Sequence, residues 1–108
     1  MLLMRLSQFE IEAIHSIAKK YFGSDAQVFL FGSRVDDDKK GGDIDLFIST
    51  NEMDLLTLET KIQFLADLKS QIGDQKIDVV FDTEVTRSKI QFYNSIQKYK
   101  TELRVSPS

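Results

Sequence analysis

Aspartate recurs in this sequence where a strand would ordinarily carry aliphatics. In Asp43-Ile44-Asp45-Leu46-Phe47-Ile48 two carboxylates alternate with apolar residues. Successive side chains of a strand point to opposite faces, so Asp43 and Asp45 share one face while Ile44, Leu46 and Ile48 anchor the other. Lys76-Ile77-Asp78-Val79-Val80-Phe81 repeats the arrangement, with Ile77 and Val79 inward and Asp78 turned outward. If the two strands are neighbours, three carboxylates meet. Two carboxylates about 4 Å apart repel by about 4 kcal/mol at an effective dielectric near 20, so such a cluster calls for a proton, a basic partner or a metal. Mg²⁺ prefers these oxygen donors and keeps positions for water and substrate phosphate. Two ions about 3.5–4 Å apart, bridged by shared carboxylates, form the arrangement used in phosphoryl and nucleotidyl transfer.

A second feature precedes the aspartates. The run Val28-Phe29-Leu30-Phe31 ends in Gly32-Ser33-Arg34. A glycine after a strand lets the backbone approach a phosphate closely, and the following amides with the Ser33 hydroxyl can donate to phosphate oxygens. Arg34 can grip a phosphate with two parallel hydrogen bonds. Each part has a plainer reading: a Gly-Ser turn is common, an Asp-x-Asp strand can be a solvated face, and Asp78 can pair with Lys76 in a surface ion pair worth roughly 0–1 kcal/mol. The conjunction of strand, Gly-Ser, Asp-Ile-Asp-Leu, helix, and a further strand carrying an aspartate favours the chemical reading.

The elements that position these residues follow from periodicity. Ser7-Gln8-Phe9-Glu10 is a capping box, in which a Ser oxygen and a Glu carboxylate satisfy two unpaired amides at a helix start. That helix should end near Gly23, with Phe9, Ala13, Ile14, Ile17 and Tyr21 buried and Glu12, His15, Ser16, Lys19 and Lys20 on the polar face. Val28–Phe31 is a short continuous apolar run that fits a strand buried on both faces. Residues 34–42, with Asp36-Asp37-Asp38-Lys39-Lys40 and Gly41-Gly42, form a loop or a short helical turn. A second helix carries Leu55, Leu58, Ile62, Leu65, Leu68 and Ile72 on one stripe and breaks at Gly73-Asp74. A last helix runs from about Thr86 to Leu103, with Ile90, Phe92, Tyr93, Ile96, Tyr99 and Leu103 as its apolar positions. The order α-β-β-α-β-α gives an α/β (α+β) domain of three or four strands with helices on one or both faces. The pattern leaves open whether the strands pair parallel or antiparallel.

Composition bounds the remaining possibilities. The 108 residues carry 14 Lys+Arg and 17 Asp+Glu, a net charge of −3, with no cysteine and a single proline, Pro107. That length suits one domain over residues 1–104 with a short tail at 105–108. Absence of cysteine excludes a disulfide framework, a thiol nucleophile and a cysteine zinc site. His15 is the only histidine, so no histidine dyad can form around it, and its place on a polar helix face suits a solvated residue. There is no P-loop and no Gly-x-Gly-x-x-Gly. No apolar run is long enough to span a membrane and no signal peptide is evident, so a cytoplasmic protein is expected. Mild acidity argues against a protein that coats DNA or another nucleic acid.

Taken together, Gly32-Ser33-Arg34, Gly42-Asp43-Ile44-Asp45-Leu46 and Ile77-Asp78-Val79-Val80 resemble the minimal nucleotidyltransferase branch of the polymerase beta superfamily, over roughly residues 9–82. The resemblance implies a palm-like fold, a small mixed sheet backed by helices with the metal site on its open edge. It implies that Asp43 and Asp45 ligate two Mg²⁺ ions and that Asp78 binds the catalytic one and helps deprotonate the attacking hydroxyl. Gly32 and Ser33 would hold the β- and γ-phosphates of a nucleoside triphosphate such as ATP, with Arg34 assisting. Asp36-Asp37-Asp38 departs from the small, basic segment common in the family after Gly-Ser, which bears on how active the site is.

The chain has residues for metal and triphosphate and few left over for an acceptor, so the acceptor is expected from another chain. Minimal nucleotidyltransferases of this size are often encoded beside a helical HEPN protein, a ribonuclease toxin. The resemblance therefore implies an antitoxin that moves AMP from ATP onto a tyrosine of a HEPN-type toxin. Two alternatives stand beside it: an antitoxin that neutralises by binding alone, with the last helix as its interface, and a small-molecule nucleotidyltransferase whose acceptor site forms in a dimer.

Overall fold

The computed structural model describes residues 6–31 and 44–105. The first helix, α1 (Gln8–Phe22), opens on the expected capping box: Ser7 Oγ accepts from the Glu10 amide at 3.1 Å and Glu10 Oε1 accepts from the Ser7 amide at 2.8 Å. Glu10 also reaches outside its helix, because its other oxygen accepts from Gln75 Nε2 at 2.8 Å. Burial raises the Glu10 pKa, but these hydrogen bonds outweigh it and hold the carboxyl below its ordinary value. The helix stops at Gly23, whose φ of 103° and ψ of 160° lie in a region open essentially to glycine alone.

A Cβ at Gly23 would come within 2.8 Å of Glu52 Oε2, whereas one at Gly73, with φ 99°, meets nothing. Since the Glu52 carboxylate can swing aside, backbone strain dominates at both positions. Gly23→Ala and Gly73→Ala are therefore expected to cost similar amounts, about 1–3 kcal/mol each, in chemical denaturation. A markedly larger cost at Gly23, relieved by Glu52→Ala, would show that the clash governs.

Strands β1 (Gln27–Phe31) and β2 (Ile44–Ser49) pair antiparallel. A 3₁₀ turn at Met53–Leu55 leads to α2 (Leu58–Ile72), which crosses over to β3 (Ile77–Phe81). β2 and β3 run parallel, bracketed by the Ile44 amide on the Lys76 carbonyl and the Asp82 amide on the Ile48 carbonyl. α3 (Glu84–Ser88), α4 (Ile90–Tyr99) and β4 (Thr101–Glu102) follow. Among the described residues the sheet is four-stranded and mixed, in the order β3-β2-β1-β4, with β4 antiparallel to β1.

One face of the sheet, carrying Val28, Ile44, Leu46, Ile48, Ile77 and Val79, packs on α1 and α2 and forms the main core. Phe22 stands at its centre, fully buried, with ring centroids 5.2 Å from Phe64 and 5.4 Å from Phe81. Asp67 ties α2 to α1, its Oδ2 accepting from Lys20 Nζ at 3.0 Å and the Tyr21 hydroxyl at 3.1 Å. α4 covers part of the other face, where Tyr93 packs against Phe47.

Four expectations are corrected. Phe9 is 61% exposed, and α1 buries Ile11, Ala18 and Phe22 beside Ala13, Ile14 and Ile17. In α2 Leu58 and Ile62 are 69% and 58% exposed while Phe64 and Leu68 are buried. Thr57 caps the helix, and the expected stripe holds in its later turns, where Leu68 is buried and Leu65 and Ile72 pack against the core. The last segment is not one helix: it breaks at Lys89, and Leu103 leaves it to follow β4, its amide donating to the Val28 carbonyl. β1 is also half-buried along Phe29–Phe31 instead of enclosed on both sides.

The turn before β1 is held by Asp25, which accepts from the Thr50 hydroxyl at 2.8 Å and the Asn51 amide at 2.9 Å. The Asn51 amide, then Thr50, hold this carboxyl below its ordinary value of 3.8. A depressed folded-state pKa gives stability that is complete above the unfolded value and lost as pH falls through the folded one. Asp25→Ala should thus lower the melting temperature at pH 7, and the gap to the native chain should close as pH drops below about 3.8. A gap independent of pH would rule out the ionised form as its source.

Candidate active site

Strand parity determines which side chains meet. In the β2–β3 register Asp45 lies opposite Asp78, and in the β1–β2 register Phe31 lies opposite Asp45. Neighbouring strands lie about 4.8 Å apart, so these three residues form a row across one end of the sheet. All three belong to the face away from α1 and α2. Ile44 and Leu46 beside Asp45, and Ile77 and Val79 beside Asp78, are buried in the main core, which fixes each carboxylate outward. Asp45 is half-buried and Asp78 exposed. Of the residues expected at the site, Gly32, Ser33, Arg34 and Asp43 lie outside the described residues. Chain continuity alone sets them on the segment that leaves β1 at Phe31 and enters β2 at Ile44.

The aspartate row opens into a cleft of about 620 Å³, a size that suits a nucleotide-like ligand. Asp45 and Asp78 lie on its wall, and residues Ile77, Val79 and Val80 of edge strand β3 line it further. Lys61 and Leu65 reach it from α2, Phe31 from β1 and Phe92 from α4. Lys61 is the single cation among the described lining residues, its ammonium 5.3 Å above the Phe81 ring. No motif or spacing singles out Lys61, and helical spacing places Phe92 in the core. Phe92 is in fact 42% exposed, its ring in an edge-to-face pair with Phe31 at 6.3 Å.

Two adjacent carboxylates offer the hard oxygen donors that Mg²⁺ selects. Among the described residues there is no group of three or more His, Cys, Asp or Glu placed to hold a metal, and the third expected ligand, Asp43, falls outside them. The donor chemistry of Asp45 and Asp78 fits such an ion. His15 takes no part: it is half-buried on α1 and feels Glu102 of β4, at the sheet edge opposite Asp78. Burial, then Lys19, push its pKa down, with Glu102 opposing. No helix among the described residues is long and apolar enough to cross a membrane.

A family model described as polymerase beta, nucleotidyltransferase matches residues 12–103, a span that contains every site residue discussed above. Comparison with curated proteins gives no match.

Proposed function

We propose, from the premise that this chain belongs to the polymerase beta nucleotidyltransferase family, that it transfers AMP from ATP to a hydroxyl of a partner protein. The observation that carries this reading is the register of Asp45 against Asp78 at the open end of the sheet, beside the segment that leaves β1. Asp45 and Asp78, with Asp43, would hold Mg²⁺, and Gly32, Ser33 and Arg34 would hold the triphosphate. When bound, Mg²⁺ supplies positive charge to the phosphate oxygens as negative charge builds on them. The acceptor oxygen bonds to the α-phosphorus, and the bond from that phosphorus to the bridging oxygen breaks. Pyrophosphate leaves, and the hydroxyl proton passes to the Asp78 carboxylate. Asp78 suits that role because β3 is the edge strand of the described sheet, the side from which an acceptor has access.

The partner in this reading is a HEPN-type toxin, modified on a tyrosine, with the present chain as its antitoxin. Support for this part comes from the sequence resemblance. A second reading, neutralisation by binding alone, is favoured by the exposed Val85, Ile90 and Tyr99 on α3 and α4. The two separate in one experiment, in which the chain, Mg²⁺, ATP labelled at the α-phosphate and a HEPN-type toxin are incubated together. Label on the toxin, lost with Asp78→Asn, is the expected result. Absence of label with the native chain, or equal label with the variant, overturns the enzymatic reading. Retained neutralisation by Asp78→Asn supports binding alone.

A further inference from the structure

We infer that the Phe31–Phe92 pair is the nucleobase wall of the cleft, with Phe92 as the stacking residue. This deepens the nucleotidyl-transfer reading and rests on it. Three observations carry the inference. First, α4 docks on the sheet largely through other residues than Phe92: Tyr93 packs on Phe47 at 6.3 Å, Ile96 is buried, and just past the helix end Lys100 sits 4.3 Å above the Phe29 ring. Phe92, beyond its contact with Phe31, is left 42% exposed, so part of its aromatic surface stays open.

Second, that surface is held at a defined place. Phe31 lies opposite Asp45 in the ladder, and the Phe92 and Phe31 rings meet edge-to-face, centroids 6.3 Å apart and planes at 77°. An edge-to-face pair fixes the ring orientation, and both rings line the same cleft as the two carboxylates. Phe92 therefore stands one side chain beyond the neighbour of Asp45. A nucleotide has the same layout, its base one ribose away from the phosphate that the aspartates would handle.

Third, the lining has the character of a face-binding site. Among the described residues, those lining the cleft carry no side-chain amide or hydroxyl, and around the two carboxylates and Lys61 they are aliphatic or aromatic. Such a wall offers a base contact with its π-face in place of side-chain amide or hydroxyl bonds to its edge. Stacking on an aromatic side chain tolerates every base and favours the larger purine surface.

The test compares two ligands that share a triphosphate and differ in the nucleoside. Calorimetric binding of ATP and of inorganic tripolyphosphate is measured in Mg²⁺ without acceptor, so no turnover intervenes. Phe92→Ala and Phe92→Leu are each expected to weaken ATP binding about tenfold, with tripolyphosphate affinity unchanged. Phe92→Trp restores ATP binding. Ile90→Ala, on the same helix and outside the cleft, reports any general disturbance of α4 and should leave both ligands unchanged. ATP affinity unaltered by Phe92→Ala, or ATP and tripolyphosphate weakened equally, overturns the stacking wall while nucleotidyl transfer stands. If the native chain binds neither ligand, the nucleotidyl-transfer reading falls and this inference falls with it.

Discussion

Asp78→Asn is expected to lower nucleotidyl transfer about 10³-fold while leaving the fold as stable as before. The rate estimate follows from the charge being removed: metal-assisted stabilisation of a phosphoryl transition state contributes several kcal/mol, and about 1.4 kcal/mol is a factor of ten. The stability estimate follows from position. Asp78 is exposed, while its neighbours Ile77 and Val79 carry the packing of β3. Like charges set side by side on adjacent strands destabilise by roughly 0.2–1 kcal/mol, so the neutral amide should hold or raise the melting temperature in the absence of divalent ions. The native chain should gain stability from Mg²⁺, and Asp78→Asn should lose most of that gain. Loss of activity accompanied by a large drop in melting temperature would mean that Asp78 serves the fold, and undiminished activity would remove it from the site.

The largest effect on stability is expected at Phe22. Its ring is wholly enclosed and touches Phe64 on α2 and Phe81 on β3, so it joins both helices to the edge strand that carries Asp78. Truncation of a buried phenylalanine costs about 3–5 kcal/mol, against a total of about 5–15 kcal/mol for an ordinary domain. At about 4–8 °C per kcal/mol, Phe22→Ala should lower the melting temperature by some tens of degrees. Phe22→Leu, which keeps most of the volume, should cost below about 1.5 kcal/mol. A cost under about 1 kcal/mol for Phe22→Ala would show that α1, α2 and β3 do not share this core.

Local rules explain what could be read without coordinates. Ser7 and Glu10 mark the start of α1 and Gly23 its end because caps are satisfied within four residues. Asp45 and Asp78 can be assigned to the outer face because alternation in a strand is strict. Properties that depend on distant partners were out of reach. The parallel pairing of β2 with β3 is a tertiary fact, and apolar spacing is the same for either direction. β4 is two residues long and exists because β1 offers it a partner, whereas helical periodicity through Tyr99 continues to Leu103 in the sequence. Phe92 fits a core position by spacing, but α4 covers only part of its sheet face and leaves that ring beside the carboxylates. Gly32, Ser33, Arg34 and Asp43 lie outside the described residues, and their roles rest on the sequence.

The alternation that turns Asp45 and Asp78 outward also guards the fold against a specific error. Parallel strands joined by a helix have no tight turn to fix their alignment, and a slip of β3 by one residue against β2 would invert every side chain of β3. Asp78 would then face Phe22 and Phe64, and Ile77 and Val79 would face water. Placing a carboxylate in that apolar interior costs several kcal/mol, far more than a mispaired aliphatic. The aspartates proposed to handle phosphate thus also penalise misfolded alignments, a task they would keep even in a chain that had lost its chemistry.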